Sequence, residues 1–465
     1  MALIPTARTF AQSFKTLHSF TGSAGNIDGF WPRAGLVSSG NTLYGATTTG
    51  GAWNHGTVFA VNADGTCFTI LHAFEAYTNP NGFNNEGVEP WASLVLESNT
   101  LYGTTQKGGI NGSGTVFKMN TDGTGFTALH HFSGLSTDGR PPVGRLVASG
   151  NVLYGATKSG GQYGYGAVFA INIDGTGFTN LYSFSPPPLP IVNYARNPMA
   201  GLLLSDNILY GVSGLTADNT YPGTVFRLNT DGTGFTKLHD FVGSSDGAYP
   251  EAELVLAGDT LYGTAGHGGA SLKGTIFKVK TNGTAFMTLH HFTDNGHYPY
   301  TNGDGAFPSS ALIVSGDMLY GTTTAGGTSD YGTVFAIKTD GTSFTTVHNF
   351  AGGPTDGGTP YPGVILSGNT LYGTTYWGGA RDNGLVFSIS FSPELKIIRS
   401  GDNVVLSWPT NVASFSYSGY TLQSAMDLVA PAAWTNVSTA PVVVNGQNTV
   451  TNPTSGAQRF YRLSQ

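Results

Sequence analysis

Leu371-Tyr372-Gly373-Thr374-Thr375 is the stretch that decides the fold, because it recurs. Leu-Tyr-Gly begins at Leu43, Leu101, Leu153, Leu209, Leu261, Leu319 and Leu371, at spacings of 58, 52, 56, 52, 58 and 52 residues. A period in this range marks a repeat architecture, in which one supersecondary unit is copied and stacked. Downstream of each copy lies Gly-x-Val/Ile-Phe, as at residues 56–59, 114–117, 274–277 and 384–387. A third block reads Phe-x-x-Leu-His-x-Phe, as at residues 14–20, 68–74 and 126–132.

Within one repeat, residues 94–96, 100–105, 114–120 and 126–132 read as four short strands. Ser98-Asn99, Gly108-Gly109 and Asp122-Gly123 supply the turns between them. Four antiparallel strands repeated seven times predict an all-β fold, a seven-bladed β-propeller. The third block appears first at residues 14–20, before any Leu-Tyr-Gly. The last Gly-x-Val-Phe, at 384–387, has no such block after it. Residues 14–20 are therefore expected to supply the outer strand of the last blade, so that the N-terminal strand closes the ring and no edge is left open. The domain reading is an N-terminal tail over 1–13, a propeller over 14–391 and a small β-sandwich over 392–465 that resembles fibronectin- or Ig-like modules. Trp408 and Trp434 are expected in the sandwich core.

Composition agrees with many strands and turns. Glycine, at 68 residues, suits tight turns, and aromatic residues at 12% suit pleated surfaces. Charged residues are only 10%, and a net charge of −7 without a basic run argues against nucleic acid as a partner. Cys67 is the only cysteine, which excludes an intrachain disulfide framework. Residues 1–13 lack the apolar run of a signal peptide, and no segment is long enough to span a membrane. The low charge and hydroxyl-rich surface favour an extracellular or cell-surface location, with any leader already removed. A monomer is expected.

The motifs Leu-Tyr-Gly-Thr-Thr-x-x-Gly-Gly, Gly-Thr-Val-Phe, Asp-Gly-Thr and Leu-His-x-Phe resemble the GloVer tandem-repeat family of exported bacterial proteins, over about residues 14–390. The resemblance implies export and attachment to the cell exterior, and no settled activity. The chain differs from anchored members in ending Arg462-Leu463-Ser464-Gln465, without a hydrophobic tail.

Features that recur in every repeat are expected to be structural, because one ligand cannot use seven equivalent copies. The fourth-strand histidines His18, His72, His130, His239, His290 and His348, with Tyr182 in the seventh place, fall in that class. So do the acids ahead of strand one, which read as turn formers: Asp28, Glu86, Asp138, Asp246, Asp304 and Asp356. As an acidic ring at a channel mouth, these six are also the candidate ligands for a Ca-like divalent cation, although no cofactor is required.

Departures from the repeat say more. The loops after strands two and four vary in length, and variable loops on a rigid scaffold are where binding resides. Trp31, Trp53, Trp91 and Trp377 all fall in such loops of blades that become neighbours on closure. Tyr376 and Arg381 lie beside them. Aromatic faces with a few polar groups suit a polysaccharide, whose sugar rings have apolar C–H faces. The candidate catalytic groups are His297, Tyr298 and Asp304 in one long loop, with Arg381 to neutralise a sugar carboxylate. The expectation is a protein that binds or degrades a polysaccharide through this face. The competing expectation is a non-catalytic protein-interaction or cell-surface scaffold.

Overall fold

A computed structural model describes residues 11–22, 28–185, 195–214, 222–294, 298–412, 415–417, 420–426, 433–453 and 459–464. These are strands and turns, with no helix among the described residues. The repeats form seven antiparallel sheets there, six four-stranded and one five-stranded. The first sheet runs Val37–Ser39, Thr42–Thr47, Thr57–Asn62 and Thr69–Ala73, in chain order across the sheet. The second gains its extra strand from Val88–Pro90.

In the seventh sheet the outermost strand is not the next in sequence. Ala11–Ser19 pairs antiparallel with Leu385–Ser392, setting Phe14 opposite Ile389 and His18 opposite Val386. The pairing slips between Thr16 and His18. The outer strands of the other six sheets shift register at the matching place, as between Val58 and Phe59 or between Ile276 and Phe277. A bulge there adds one residue and breaks the period-two alternation, which is why Phe-x-x-Leu-His-x-Phe does not alternate as a flat strand would.

The first two sequence blocks fit together as a lock. Gly45 lies directly across from Phe59, and a Cβ at Gly45 would come within 2.5 Å of the Phe59 ring and 2.9 Å of Leu36. The same crowding recurs at Gly103, Gly155, Gly211, Gly263, Gly321 and Gly373, each against the phenylalanine of its own Gly-x-Val/Ile-Phe. The glycine of Leu-Tyr-Gly is thus the hole that lets a fully buried ring lie flat across the sheet.

Each sheet buries its faces against its neighbours. Seven hydrophobic clusters of described residues lie between the repeat sheets. Six join consecutive sheets, and the seventh joins Tyr372 and Val386 of the last sheet to Leu36, Leu43 and Phe59 of the first, with Leu17 and Phe20 between them. The final phenylalanine of every outer block, from Phe20 to Phe350, is fully buried.

Beyond Ser392 the chain forms two further sheets and a short pair. One orders Lys396–Ser400, Asn403–Pro409, Gln447–Pro453 and Val442–Val444; the other orders Thr435–Asn436, Thr421–Ala425 and Phe460–Ser464. Their shared core is small, with Leu406, Trp408, Leu422 and Val450 buried. Trp434 differs from expectation. It is half-buried at the surface under the Arg462 guanidinium, 4.4 Å from the ring centre, because Thr435–Asn436 is an edge strand. Tyr417 leaves this core and is buried with Tyr320 and Phe391 between the sixth and seventh sheets.

Candidate functional site

The site is built from the loops that enter strand one of each sheet. A proline marks the entry to that strand in every repeat, Pro32, Pro90, Pro198, Pro250, Pro308 and Pro360 ahead of it and Pro142 within the first residues of Arg140–Ser149. In six repeats the residue before it is left-handed without being glycine: Trp31, Glu89, Asn197, Tyr249, Phe307 and Thr359, with φ between 52° and 58°. Such a conformation costs of order 1–3 kcal/mol and persists only where its surroundings fix it. Here each of these residues donates its N–H to a carbonyl of the preceding repeat's second-to-third-strand loop, as Trp31 does to Asn383 (3.0 Å) and Phe307 to Lys273 (2.8 Å). The side chains at this position are therefore held on a fixed backbone.

Residues just after the proline line two adjoining cavities, of about 120 Å³ and about 500 Å³, which share Ser93, Arg145, Glu253, Ala311 and Pro362 and to each of which all seven repeats contribute. The first place after the proline holds Arg33, Trp91, Val143, Met199, Glu251, Ser309 and Tyr361, seven different residues. The third place holds Gly35, Ser93, Arg145, Gly201, Glu253, Ala311 and Gly363. Arg145 donates to Glu253 at 3.0 Å across the intervening fourth repeat. A Cβ at Gly201 would come within 2.7 Å of the Arg145 backbone oxygen, so glycine there keeps this crossing open. Burial pushes the Glu253 carboxyl up more than Arg145 pulls it back. Burial likewise raises Glu251 against the pull of Lys158. Tyr361 is raised by burial and by Glu251, with Arg33 opposing.

Beside these cavities lies an aromatic cluster. Trp31 stacks on Tyr376 (ring centres 5.5 Å apart) and meets Trp377 edge-on at 5.7 Å; Tyr376 and Trp377 touch at 4.7 Å. Arg33 ties the cluster to Trp91, its guanidinium carbon lying 4.0 Å from the Trp91 ring centre, 4.7 Å from Tyr376 and 5.1 Å from Tyr361. Trp31, Trp91, Tyr376 and Trp377 are thus brought together. Trp53 is not; it projects from its own loop, 58% exposed, and joins none of these ring contacts. Arg381 is exposed on the turn where Asp382 accepts the Gly378 N–H.

The six acids lie against outer strands, each paired with a histidine. Each binds the histidine of its own outer strand: Asp28 with His18, Glu86 with His72, Asp138 with His130, Asp246 with His239, Asp304 with His290 and Asp356 with His348, at 2.6–3.4 Å. Each also accepts a backbone N–H just past that strand, as Asp138 does from Ser133 and Asp304 from Thr293. Burial pushes Asp28, Asp138, Asp246 and Asp304 up, but the histidine beside each and the hydrogen bonds from these donors outweigh it and hold all four below the ordinary value. Every histidine in turn stacks on the first phenylalanine of the next outer block, His18 on Phe68 at 3.5 Å and His348 on Phe14 at 4.4 Å. Tyr182 takes the same place over Phe235. Among the described residues no three of His, Cys, Asp and Glu gather in a metal-binding group.

Of the candidate catalytic groups, three lie among the described residues. His297 lies outside the described residues. Tyr298 is 81% exposed, Asp304 is committed to His290 and Thr293, and Arg381 belongs to another repeat. Arg33, Arg145, Glu251, Glu253 and Tyr361 escaped the sequence reading. Their signal was available: a proline-anchored block whose first and third places follow no rule.

The Gloeobacter/Verrucomicrobia repeat model matches the chain three times, over residues 81–214, 190–303 and 298–411. The chain belongs to the Gloeobacter/Verrucomicrobia repeat family. No curated protein sequence matches this family member. Among solved structures, it is similar to oligogalacturonate lyase from Vibrio parahaemolyticus, at 9% identity over 82% of this chain and 96% of that one, with a TM-score of 0.49. It is also similar to PorZ, a surface component of the type-IX secretion system of Porphyromonas gingivalis, at 13% identity over 95% of this chain and 60% of that one, with a TM-score of 0.47. A structure from the nidogen/laminin complex matches at 13% identity over 68% of this chain and 93% of that one, with a TM-score of 0.37.

Proposed function

We propose that this repeat protein is an exported, monomeric seven-bladed β-propeller, closed by its N-terminal strand and followed by a β-sandwich, that binds or degrades a polysaccharide at the mouth of its channel. The closure is supported by the pairing of Ala11–Ser19 with Leu385–Ser392 and by the cluster joining the last sheet to the first. The polysaccharide reading rests on one observation: Trp31, Tyr376, Trp377 and Trp91 stand together beside a cavity whose wall carries Arg33, Arg145, Glu251 and Glu253. Rings offer stacking faces to a sugar, and the charged wall offers partners for its hydroxyls. A cation held by the six acids would first have to displace their histidines.

The test is a panel of soluble polysaccharides, scored both for binding and for new reducing or unsaturated chain ends. Stacking on one aromatic ring is of order 1 kcal/mol, so Trp377→Ala is expected to weaken binding several-fold while leaving the melting temperature near the parent's. Unchanged affinity in that variant would remove the aromatic cluster from the site. The scaffold reading draws on Val442–Val444, an exposed apolar edge strand that could add a partner's strand. Capture of a surface protein with no glycan bound would favour it.

A further inference from the structure

The cavity wall carries two guanidinium groups with different fates. Arg145 is taken up by Glu253. Arg33 has no carboxylate partner among the described residues, and none of its N–H groups donates to a protein acceptor there. What surrounds it is aromatic, with the rings of Trp91, Tyr376 and Tyr361 all centred within 5.1 Å of its central carbon. Of the carboxylates on the same wall, Glu253 is paired with Arg145, and Glu251 makes no ion pair with Arg33. Arg33 is therefore a half-buried, uncompensated cation set among stacking faces.

A guanidinium held this way is matched by a planar acceptor with two oxygens, which takes two parallel charge-assisted hydrogen bonds. The same rings that surround Arg33 are the ones a sugar would stack on. We infer that the site selects an acidic glycan, a linear polyuronate, whose sugar carboxylate pairs with Arg33 while its ring lies on the neighbouring aromatic faces. This inference rests on the polysaccharide reading above and narrows it. No bond is made or broken in this step; Arg33 positions and selects.

The experiment compares, on the unaltered full chain, a linear polyuronate with the same polymer after methyl esterification, which removes the charge and keeps the backbone. A hydrogen bond to a charged group is worth roughly 1.5–3 kcal/mol, so the free acid is expected to bind at least about tenfold more tightly, with the advantage shrinking as salt is raised. Arg33→Gln should reduce the acid to the level of the ester, and Arg33→Lys should restore part of the difference. Equal binding of acid and ester would overturn the inference and leave the polysaccharide reading standing. So would a sulfated galactan binding as tightly as the polyuronate, since the planar carboxylate would then not be what is recognised. Binding by no glycan at all would sink both. The esterification comparison needs no variant, so an unstable Arg33→Gln protein does not blunt it.

Discussion

The seven repeat sheets and the C-terminal module are both made of short antiparallel strands, yet they bury them in different ways. A repeat sheet hides its faces against sheets of the same design, and every cluster between them is filled by the same few side chains. The module has two small sheets, four fully buried core side chains and no copy of itself to lean on. It leaves Ile397, Ile398 and all three valines of Val442–Val444 at least half exposed, and it sends Tyr417 out to be buried by the repeats. Repetition lets an element that cannot bury itself borrow an equivalent neighbour; a single small module must borrow from whatever stands beside it.

The comparison breaks most sharply at the N-terminal strand. A chain starting at Thr21 loses Phe14, Leu17 and Phe20, and with them the cover between the last sheet and the first. At roughly 1.5–3 kcal/mol per buried large apolar side chain, the loss is about 5 kcal/mol, read as a large fall in melting temperature. A shortened chain that melts with the parent would show that the strand is dispensable. Next in size is Tyr417→Ala. Burial, with Tyr420 adding, pushes the Tyr417 phenol up to about 12. Truncating such a side chain typically costs about 3 kcal/mol, and hydrogen exchange should increase at Phe391 and Tyr320 on the repeat side as well as in the module. Exchange confined to the module would mean that the two regions are independent.

The smallest effect expected is with acid, and it belongs to the repeats. Asp28, Asp138, Asp246 and Asp304 are held below their ordinary value in the folded chain. Between the folded and unfolded values the unfolded chain binds more protons, so this stabilisation is complete above about pH 4. It is lost as pH falls through the lower folded values. Asp138→Asn should therefore destabilise by a constant amount at neutral pH, and the gap to the parent should close below about pH 4. A gap that persists at pH 2 would assign the loss to packing instead of charge.

Much of this could be read from the chain before its structure. Leu-Tyr-Gly and Gly-x-Val/Ile-Phe announce themselves because the lock between Gly45 and Phe59 admits few alternatives. The aromatic sector was legible because tryptophan is rare in this chain. Three things were not. The register shift in each outer strand leaves only a broken alternation in Phe-x-x-Leu-His-x-Phe, which does not say where the backbone pairing slips. The histidine and the acid of each pair come from separate blocks that look independent in sequence. Arg33, Arg145, Glu251 and Glu253 sit where the repeats disagree, and disagreement read one repeat at a time resembles noise; it becomes a pattern only when the seven loops face one space.

Those loops have a consequence for how such a chain can change over generations. The proline and the left-handed residue before it fix the path of the backbone, with the neighbouring loop holding it in place. Tolerance is therefore concentrated in the first and third residues after the proline, where arginine, tryptophan, glutamate, serine and glycine are all accommodated. A substitution at the first place alters the wall of the cavity and leaves the proline and the residue before it untouched, whereas at the third place Gly201 has no room for a Cβ beside the Arg145 backbone. The letters that shape the cavity wall and the letters that fix the backbone are thus largely separate, and the wall can change its chemistry without the scaffold first being dismantled.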